Sequence, residues 1–310
     1  MDEPRLGLLG ATSSLGECLL PLLTAAGWRV TAFSRRPVAA PPAGGVEWRQ
    51  LGLPRRQDSA DRGAEAAIPR WLCVAPLWAL PDYLDLLEAH GARRIVALSS
   101  TSRFTKEKSS DAAEQATARR LAAAEERLRA WAEKNGREWV ILRPTLIYGR
   151  GRDKNVCEIA RFIRRFGFFP LFGPARGLRQ PVHVEDLAIA CLAAVDTPAA
   201  ANRAYNLSGG ETLPYCEMVN RIFVVLKRRP RLLKVPLGVF RGALVGARLL
   251  PRYRHWSAAM AERMNRDLVF DHADAAADLR FSPRPFRLTA TDIEPERAAV
   301  ATNRRNASCL

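Results

Sequence analysis

Lysine is scarce in this 310-residue chain: of 48 basic residues only 6 are lysine, the other 42 being arginine. Acidic residues number 32, which leaves a formal charge of +16. Cysteine is also sparse. The 6 cysteines stand at 18, 73, 157, 191, 216 and 309 with no Cys-x-x-Cys pair, a pattern that excludes a dense disulfide framework and a thiolate zinc site and fits a reducing compartment. The 4 histidines have no partner at metal-ligand spacing, so no metal is expected. Long apolar runs are missing too. The most membrane-like stretch, Leu232 to Leu250, is broken by Lys234, Pro236, Arg241 and Arg248, short of the about 20 residues an integral span requires. The start, Met1-Asp2-Glu3-Pro4, lacks the basic character of a secretory signal, so a cytoplasmic location is expected.

The composition that remains is globular, with 48% hydrophobic and 26% charged residues, and 310 residues suit one large or two modest domains. The positive balance admits nucleic acid, an anionic membrane surface or a phosphorylated ligand. No helix-turn-helix, zinc-finger or RNA-recognition signature is found, and the cations are spread along the chain, so nucleic acid is not expected. Peripheral membrane contact stays open. The segment Arg161-Phe162-Ile163-Arg164-Arg165-Phe166-Gly167-Phe168-Phe169-Pro170 mixes cations with aromatics as a phosphate-binding or anionic-membrane surface would, whereas the spacing of Phe162 and Phe166 suits a helix face turned to a core.

Up to residue 145, short apolar runs alternate with longer helical ones, the pattern of a parallel sheet with crossover helices. Strands are expected at Leu6 to Gly10, Trp28 to Ser34, Val46 to Leu51, Trp71 to Ala75, Arg94 to Ser99 and Trp139 to Arg143. Helices are expected near Leu15 to Ala26, Pro81 to His90 and Asp111 to Asn135, the last opened by Asp111 and stopped by Gly136. The fold class is therefore α/β, a Rossmann-type doubly wound parallel sheet over 1–145. A smaller α/β lobe over 146–298 follows, with helices near Asn155 to Arg165, Glu185 to Val195 and Tyr215 to Leu226 and with elements free to return to the sheet. The polar tail 299–310 is expected to fray.

The most informative segment is Leu6-Gly7-Leu8-Leu9-Gly10-Ala11-Thr12-Ser13-Ser14-Leu15-Gly16, a strand, a turn of small residues and a helix start. Gly10 allows the sharp turn, Gly16 allows close packing of the helix, and free N–H groups over Thr12, Ser13, Ser14 and Leu15 face a pyrophosphate at the positive helix end. Ser13 replaces the middle glycine of the dinucleotide pattern. At the end of the second strand stand Ser34, Arg35 and Arg36 where an acid would bind the ribose of NAD. Guanidinium groups suit a 2′-phosphate, so NADP(H) is the expected cofactor.

On these landmarks, together with Val96-Ala97-Leu98-Ser99-Ser100-Thr101, Leu142-Arg143-Pro144-Thr145-Leu146-Ile147-Tyr148-Gly149, Pro181-Val182-His183-Val184-Glu185-Asp186 and Tyr205-Asn206-Leu207-Ser208-Gly209-Gly210, the chain resembles the extended short-chain dehydrogenase/reductase family of NDP-sugar epimerases and dehydratases, especially its atypical members. The resemblance implies a nicotinamide near the end of the fifth strand beside Ser99, with Ala75 and Pro76 bordering the cofactor. It also implies that Ser100 and Thr101 orient a substrate oxygen. Arg143, Arg176 and Arg179, with Tyr148, lie where family members contact a phosphorylated or nucleotide-linked substrate, and His183 helps build the lobe junction. Homo-oligomers are compatible with this picture.

Two departures bear on chemistry. Family catalysis uses a Tyr-x-x-x-Lys pair, yet none of Tyr83, Tyr148, Tyr205, Tyr215 and Tyr253 has a lysine four residues later. Aligning the helix on Glu125 puts Thr117 and Leu121 in the two places; aligning on Glu126 puts Ala118 and Ala122 there. Lys106 and Lys108, just downstream of Thr101, are substitute acids or solvated loop charges. Gly52 stands where an Asp usually holds adenine. Two functions fit: an NADP(H)-dependent oxidoreductase or epimerase-like enzyme, or a non-catalytic NADPH-binding structural or redox-sensing protein.

Overall fold

The computed structural model describes residues 4–35, 37–38, 44–52, 67–238 and 258–294. Its centre is an all-parallel sheet of seven strands. The first half of the chain supplies β1 (Arg5–Leu9), β2 (Arg29–Ser34), β3 (Val46–Gln50), β4 (Arg70–Cys73), β5 (Arg94–Leu98) and β6 (Glu138–Pro144). Beyond them, β7 (Ile147–Tyr148), β8 (Phe169–Phe172), β9 (Leu178–Arg179) and β10 (Val182–His183) are short, and β11 (Arg203–Leu207) returns to the sheet edge. The spatial order is β3-β2-β1-β4-β5-β6-β11. Chain direction of travel reverses at β1, so a crevice opens between the carboxyl ends of β1 and β4.

Both faces of this sheet are covered, which explains its near-continuous apolar strands. Alternate residues Leu8, Leu72, Val96 and Leu142 pack on α1 (Ser14–Ala25) and α6 (Val184–Asp196). Their neighbours Leu9, Trp71, Ile95 and Ile141 pack on α2 (Leu84–Ala89) and α4 (Ala112–Lys134). The doubly wound fold expected from the sequence is thus the fold observed. Where a helix over Pro81 to His90 was expected, a 3₁₀ segment Leu77–Tyr83 precedes α2, because Pro81 has no N–H to give and disfavours the α conformation before it. Asp111 caps α4, accepting from the N–H groups of Ala113 and Glu114.

Between β5 and α4 lies one turn, α3 (Ser102–Thr105). The second lobe is organised around α5 (Val156–Phe166), α7 (Tyr215–Val225) and α8 (Ala258–Asn265). Ile159 and Ile163 of α5 meet Met218, Ile222 and Phe223 of α7 and Met264 of α8 in a separate core. Three strand pairs brace it: β7 with β10, β8 with β13 (Leu232–Val235), and β9 with β12 (Leu213–Pro214). Helices α9 (Ala273–Leu279) and α10 (Ala290–Ile293) close the described chain. Among the described residues no helix is long and apolar enough to cross a membrane. The tail 299–310 lies outside them.

Candidate functional site

The turn after β1 is set by its glycines. Gly10 adopts φ +88°, and a Cβ there would stand 2.5 Å from the Ala75 nitrogen at the end of β4. Only glycine permits both the backbone conformation and that approach. The Ser13 N–H donates to the Gly10 carbonyl at 3.0 Å, and the Ser13 Oγ accepts from the Gly16 N–H at 3.0 Å. Ser13 is therefore the N-cap of α1, which is why a serine serves at the middle glycine position. A Cβ on Gly16 would meet the carbonyls of Gly10 and Ala11 at 2.5 Å, so Gly16 packs against its own turn where packing against the sheet was expected. Of the N–H groups expected to be free, that of Ser13 is spent on Gly10. Among the described residues, no acceptor faces those of Ser14 and Leu15, at the positive end of a 12-residue helix. This end can take an anion.

Ser13, Ser14 and Leu15 form one end of a cleft of about 880 Å³ between sheet and second lobe. Val74, Ser100, Thr101 and Lys106 continue the wall. Ser34 is buried and Arg35 exposed at the end of β2, beyond the cleft lining; Ala75 and Pro76 also stand outside it. Arg36 lies outside the described residues.

At the end of β5 three adjacent hydroxyls have three different fates. Ser99 is a correction: its Oγ donates to Glu125 Oε1 at 2.5 Å, turned inward and away from the cleft. Thr101 lines the cleft, but its Oγ1 donates to the Pro144 carbonyl at 3.1 Å. Ser100 accepts from the Ser102 N–H at 3.1 Å, which leaves its own O–H to donate. Ser100 is thus the hydroxyl able to orient a substrate oxygen, and Thr101 can only accept.

Lys106 and Lys108 separate in the same way. Lys106 is half-buried and lines the cleft, whereas Lys108 is exposed and does not. Burial lowers the Lys106 pKa below that of an ordinary lysine, the Arg263 charge adds to the drop, and Asp111 opposes it. On α4, Glu125 is fully buried and Glu126 exposed. The positions four and eight residues before Glu125 are Leu121, in the core, and Thr117, whose hydroxyl donates to the Ala113 carbonyl at 2.9 Å. Neither of these two positions carries an acid.

The expected substrate residues divide. Arg143 is a correction: it forks onto Glu125 and does not line the cleft, because a buried carboxylate holds its guanidinium inside. Tyr148 is a second correction, fully buried with its ring edge-on to His183 at 5.0 Å and Phe286 at 4.9 Å. Burial, helped by Asp292, pushes its phenol up to about 12. Arg176 is exposed, outside the cleft lining. Arg179 does line the cleft, 4% exposed, with its Nη1 donating to the carbonyls of Leu178 and Arg266 at 2.7 and 2.8 Å and its guanidinium 5.3 Å from the Tyr215 ring centre. Burial brings its pKa down to about 10. His183 sits at the lobe junction, its Nδ1 accepting from the Glu185 N–H at 3.3 Å and its Nε2 3.1 Å from Asp292 Oδ1. That pairing puts the ring proton on Nε2.

Sequence reasoning did not single out Arg152, Arg263 or Tyr215, all of which line the cleft. No local signal marks them, since each arrives from a different element of the second lobe. Among the described residues no group of three His, Cys, Asp or Glu side chains is placed to hold a metal.

A parallel sheet in this order, with a glycine-cornered turn at its reversal point, is a Rossmann-type arrangement. Residues 82–208 match the NAD dependent epimerase/dehydratase family. UDP-glucose 4-epimerase of Vibrio cholerae is 30% identical over 125 residues, 40% of this chain and 38% of that protein. Subunit 9 of the NADH dehydrogenase [ubiquinone] 1 alpha subcomplex, mitochondrial, of Arabidopsis thaliana is 29% identical over 103 residues, 33% of this chain and 25% of that protein. The matches thus span well under half the length of these curated relatives. In fold, the chain is similar to UDP-glucuronic acid 4-epimerase of Bacillus cereus solved with NAD, at a TM-score of 0.67 and 12% identity over 93% of this chain and 95% of that one. Residues 82–208 are thus similar to the NAD dependent epimerase/dehydratase family, and the fold around them is the Rossmann-type sheet of the structures it matches.

Proposed function

We propose that the chain binds NADP(H) and exchanges hydride between it and a carbon–oxygen centre of a small anionic substrate, phosphorylated or nucleotide-linked, as an oxidoreductase or epimerase-like enzyme. The observation that carries this reading is a shared cleft: the α1 N-terminus, the Ser100 hydroxyl and the Lys106 ammonium open onto one space. The N–H groups of Ser14 and Leu15 would hold the pyrophosphate, with Gly10 and Gly16 keeping the backbone close. Arg35, with Arg36 beside it in sequence, supplies positive charge for a 2′-phosphate. The bound dinucleotide would supply or accept the hydride. Ser100 donates a hydrogen bond to the substrate oxygen, and Lys106 holds the proton that oxygen gains on reduction and takes it back on oxidation. Arg179, bonded to backbone carbonyls and to no carboxylate among the described residues, gives the far wall a positive charge for an anion, whereas Arg263 is paired with Glu114. The thiols of the five described cysteines accord with a reducing, cytoplasmic setting.

Titration of the purified chain with NADPH and NADH, followed by single-turnover nicotinamide absorbance with NDP-sugars and carbonyl compounds, tests the proposal. Tighter NADPH binding and oxidation abolished by Ser100→Ala are expected. Equal affinity for the two dinucleotides overturns the NADP(H) preference.

A second reading is favoured by α4, where Thr117 and Leu121 offer no proton, and by the likeness to a subunit of the mitochondrial NADH dehydrogenase [ubiquinone] 1 alpha subcomplex. In it, bound NADPH stabilises the chain or reports redox state to a partner. Tight NADPH binding with no turnover across the substrate panel would select it.

A further inference from the structure

The positive charge, dispersed in sequence, is gathered by the second lobe. No acidic residue lies between Glu158 and Glu185, or between Glu217 and Glu262. The tertiary fold sets parts of these two carboxylate-free stretches side by side. β8 and β13 pair in parallel with Pro170 opposite Leu233, and the Phe169 N–H donates to the Arg231 carbonyl at 2.9 Å. Arg228 ties the same segment to the end of α5, its Nη1 donating to the Ile163 carbonyl at 2.9 Å.

Apolar groups are exposed at the centre of this face. Phe166 is 50% exposed and Leu233 53% exposed, and Phe168, Arg231, Leu232 and Leu233 line a shallow groove. The ring centres of Phe166 and Phe168 lie 6.3 Å apart. Cations rim the patch. The Arg165 guanidinium sits 5.3 Å from the Phe166 ring centre, and Arg161, Arg229, Arg231 and Lys234 are exposed. Among the described residues none of these five pairs with a carboxylate; Arg164 differs, held by Glu294 at 2.9 Å. Side chains kept in the solvent as an apolar centre with an unneutralised cationic rim match the boundary between acyl chains and acidic headgroups.

We propose that the face built from the C-terminal end of α5 and the segment Lys227 to Lys234 docks on a bilayer surface rich in anionic phospholipid. Phe166 and Leu233 enter the headgroup boundary, and the surrounding arginines and Lys234 meet the headgroup charges. The patch does not suit nucleic acid as well. Phe166 and Phe162 pack on each other at 4.6 Å, and Leu233 has no aromatic plane on which a base could stack. The cleft reaches α5 through Glu158, Ile159 and Phe162, one to two turns before Arg165 and Phe166 at the docking end of the helix.

Flotation of the full chain with vesicles of phosphatidylcholine alone and of phosphatidylcholine mixed with phosphatidylglycerol tests this. Binding to the mixed vesicles only is expected, weakened by salt. Each basic residue near such a surface is worth roughly fivefold in partitioning, so the Arg229→Glu, Arg231→Glu double variant should bind at least about twentyfold less. The Lys double variant at the same positions should keep most of the binding, since charge and not guanidinium geometry is used. Phe166→Ser with Leu233→Ser should also release the chain; if that variant unfolds by circular dichroism, the charge variants decide alone. Equal binding to both vesicles, binding to neither, full retention by the charge-reversed variant, or displacement from vesicles by single-stranded RNA overturns the proposal.

Discussion

Arg143 and Glu125 meet as a fork between β6 and α4, with Nε 3.0 Å from Oε1 and Nη2 2.6 Å from Oε2. The carboxylate is fully buried, and Ser99 and Arg103 complete its shell. One acid thereby ties the ends of β5 and β6 to α4 and fixes the backbone that presents Ser100 to the cleft.

Removing that acid leaves a buried cation without its partner. Glu125→Ala is expected to cost about 3–5 kcal/mol of stability, as breaking a buried ion pair does, measured by urea unfolding. Burial pushes the Glu125 pKa up, but the hydrogen bonds from Arg143 and Ser99 and the charges of Arg143 and Arg103 outweigh it, and the net shift is downward. A carboxylate with a lowered native pKa contributes stability that is full above its unfolded value of about 4.3 and is lost as pH falls through the native value. Glu125→Gln should therefore flatten the acid limb of the stability profile.

Gly10→Ala should destabilise the chain by about 1–3 kcal/mol, the range for a strained backbone position, because its Cβ would press on the Ala75 nitrogen. NADPH binding should fall in the same variant. Thermal melting with and without NADPH separates the two effects: a dinucleotide-dependent shift that survives intact would contradict the role given to this turn.

Arg35→Ala should weaken NADPH while leaving NADH nearly unchanged. A hydrogen bond to a charged group contributes about 1.5–3 kcal/mol, so the NADPH preference should drop by roughly 10- to 100-fold. Isothermal titration with each dinucleotide gives the ratio directly.

Lys106→Met should lower turnover about 10²- to 10⁴-fold, the usual effect of losing a positioned acid, whereas Lys108→Met should leave it unchanged. A proton donor must be protonated, so the reductive rate should fall as pH rises through the Lys106 pKa. Burial, then the Arg263 charge, set that limb below the ordinary lysine range. An alkaline limb at the ordinary value, or no limb, would reject Lys106.

Much of this molecule is legible along the chain because its rules are short-ranged. The apolar runs of β1, β2, β4, β5 and β6 give a sheet buried on both faces, and Gly10, Ser13 and Gly16 fall within one turn, where backbone sterics and capping act over three or four residues. The order of landmarks from Gly10 to Gly210 carries the resemblance to the epimerase/dehydratase family in the same way. Side-chain destinations are not legible. Ser99, Ser100 and Thr101 are adjacent and chemically alike, yet one serves Glu125, one faces the cleft with its proton free, and one is tied to Pro144. Arg143 turns inward because α4 places a buried carboxylate beside it. Lys106, at the end of α3, lines the cleft, whereas Lys108 two residues on is exposed.

The sequence by itself determined the parallel sheet, the anion-ready turn, the absence of a Tyr-x-x-x-Lys pair and a surplus of arginine, all of which depend on residue type and local spacing. Only the tertiary structure decided which arginines are spent internally and which gather on the α5 face. That choice depends on β8 pairing with β13 and on carboxylates brought in from distant elements, and electrostatic neutralisation follows distance in space, not position along the chain.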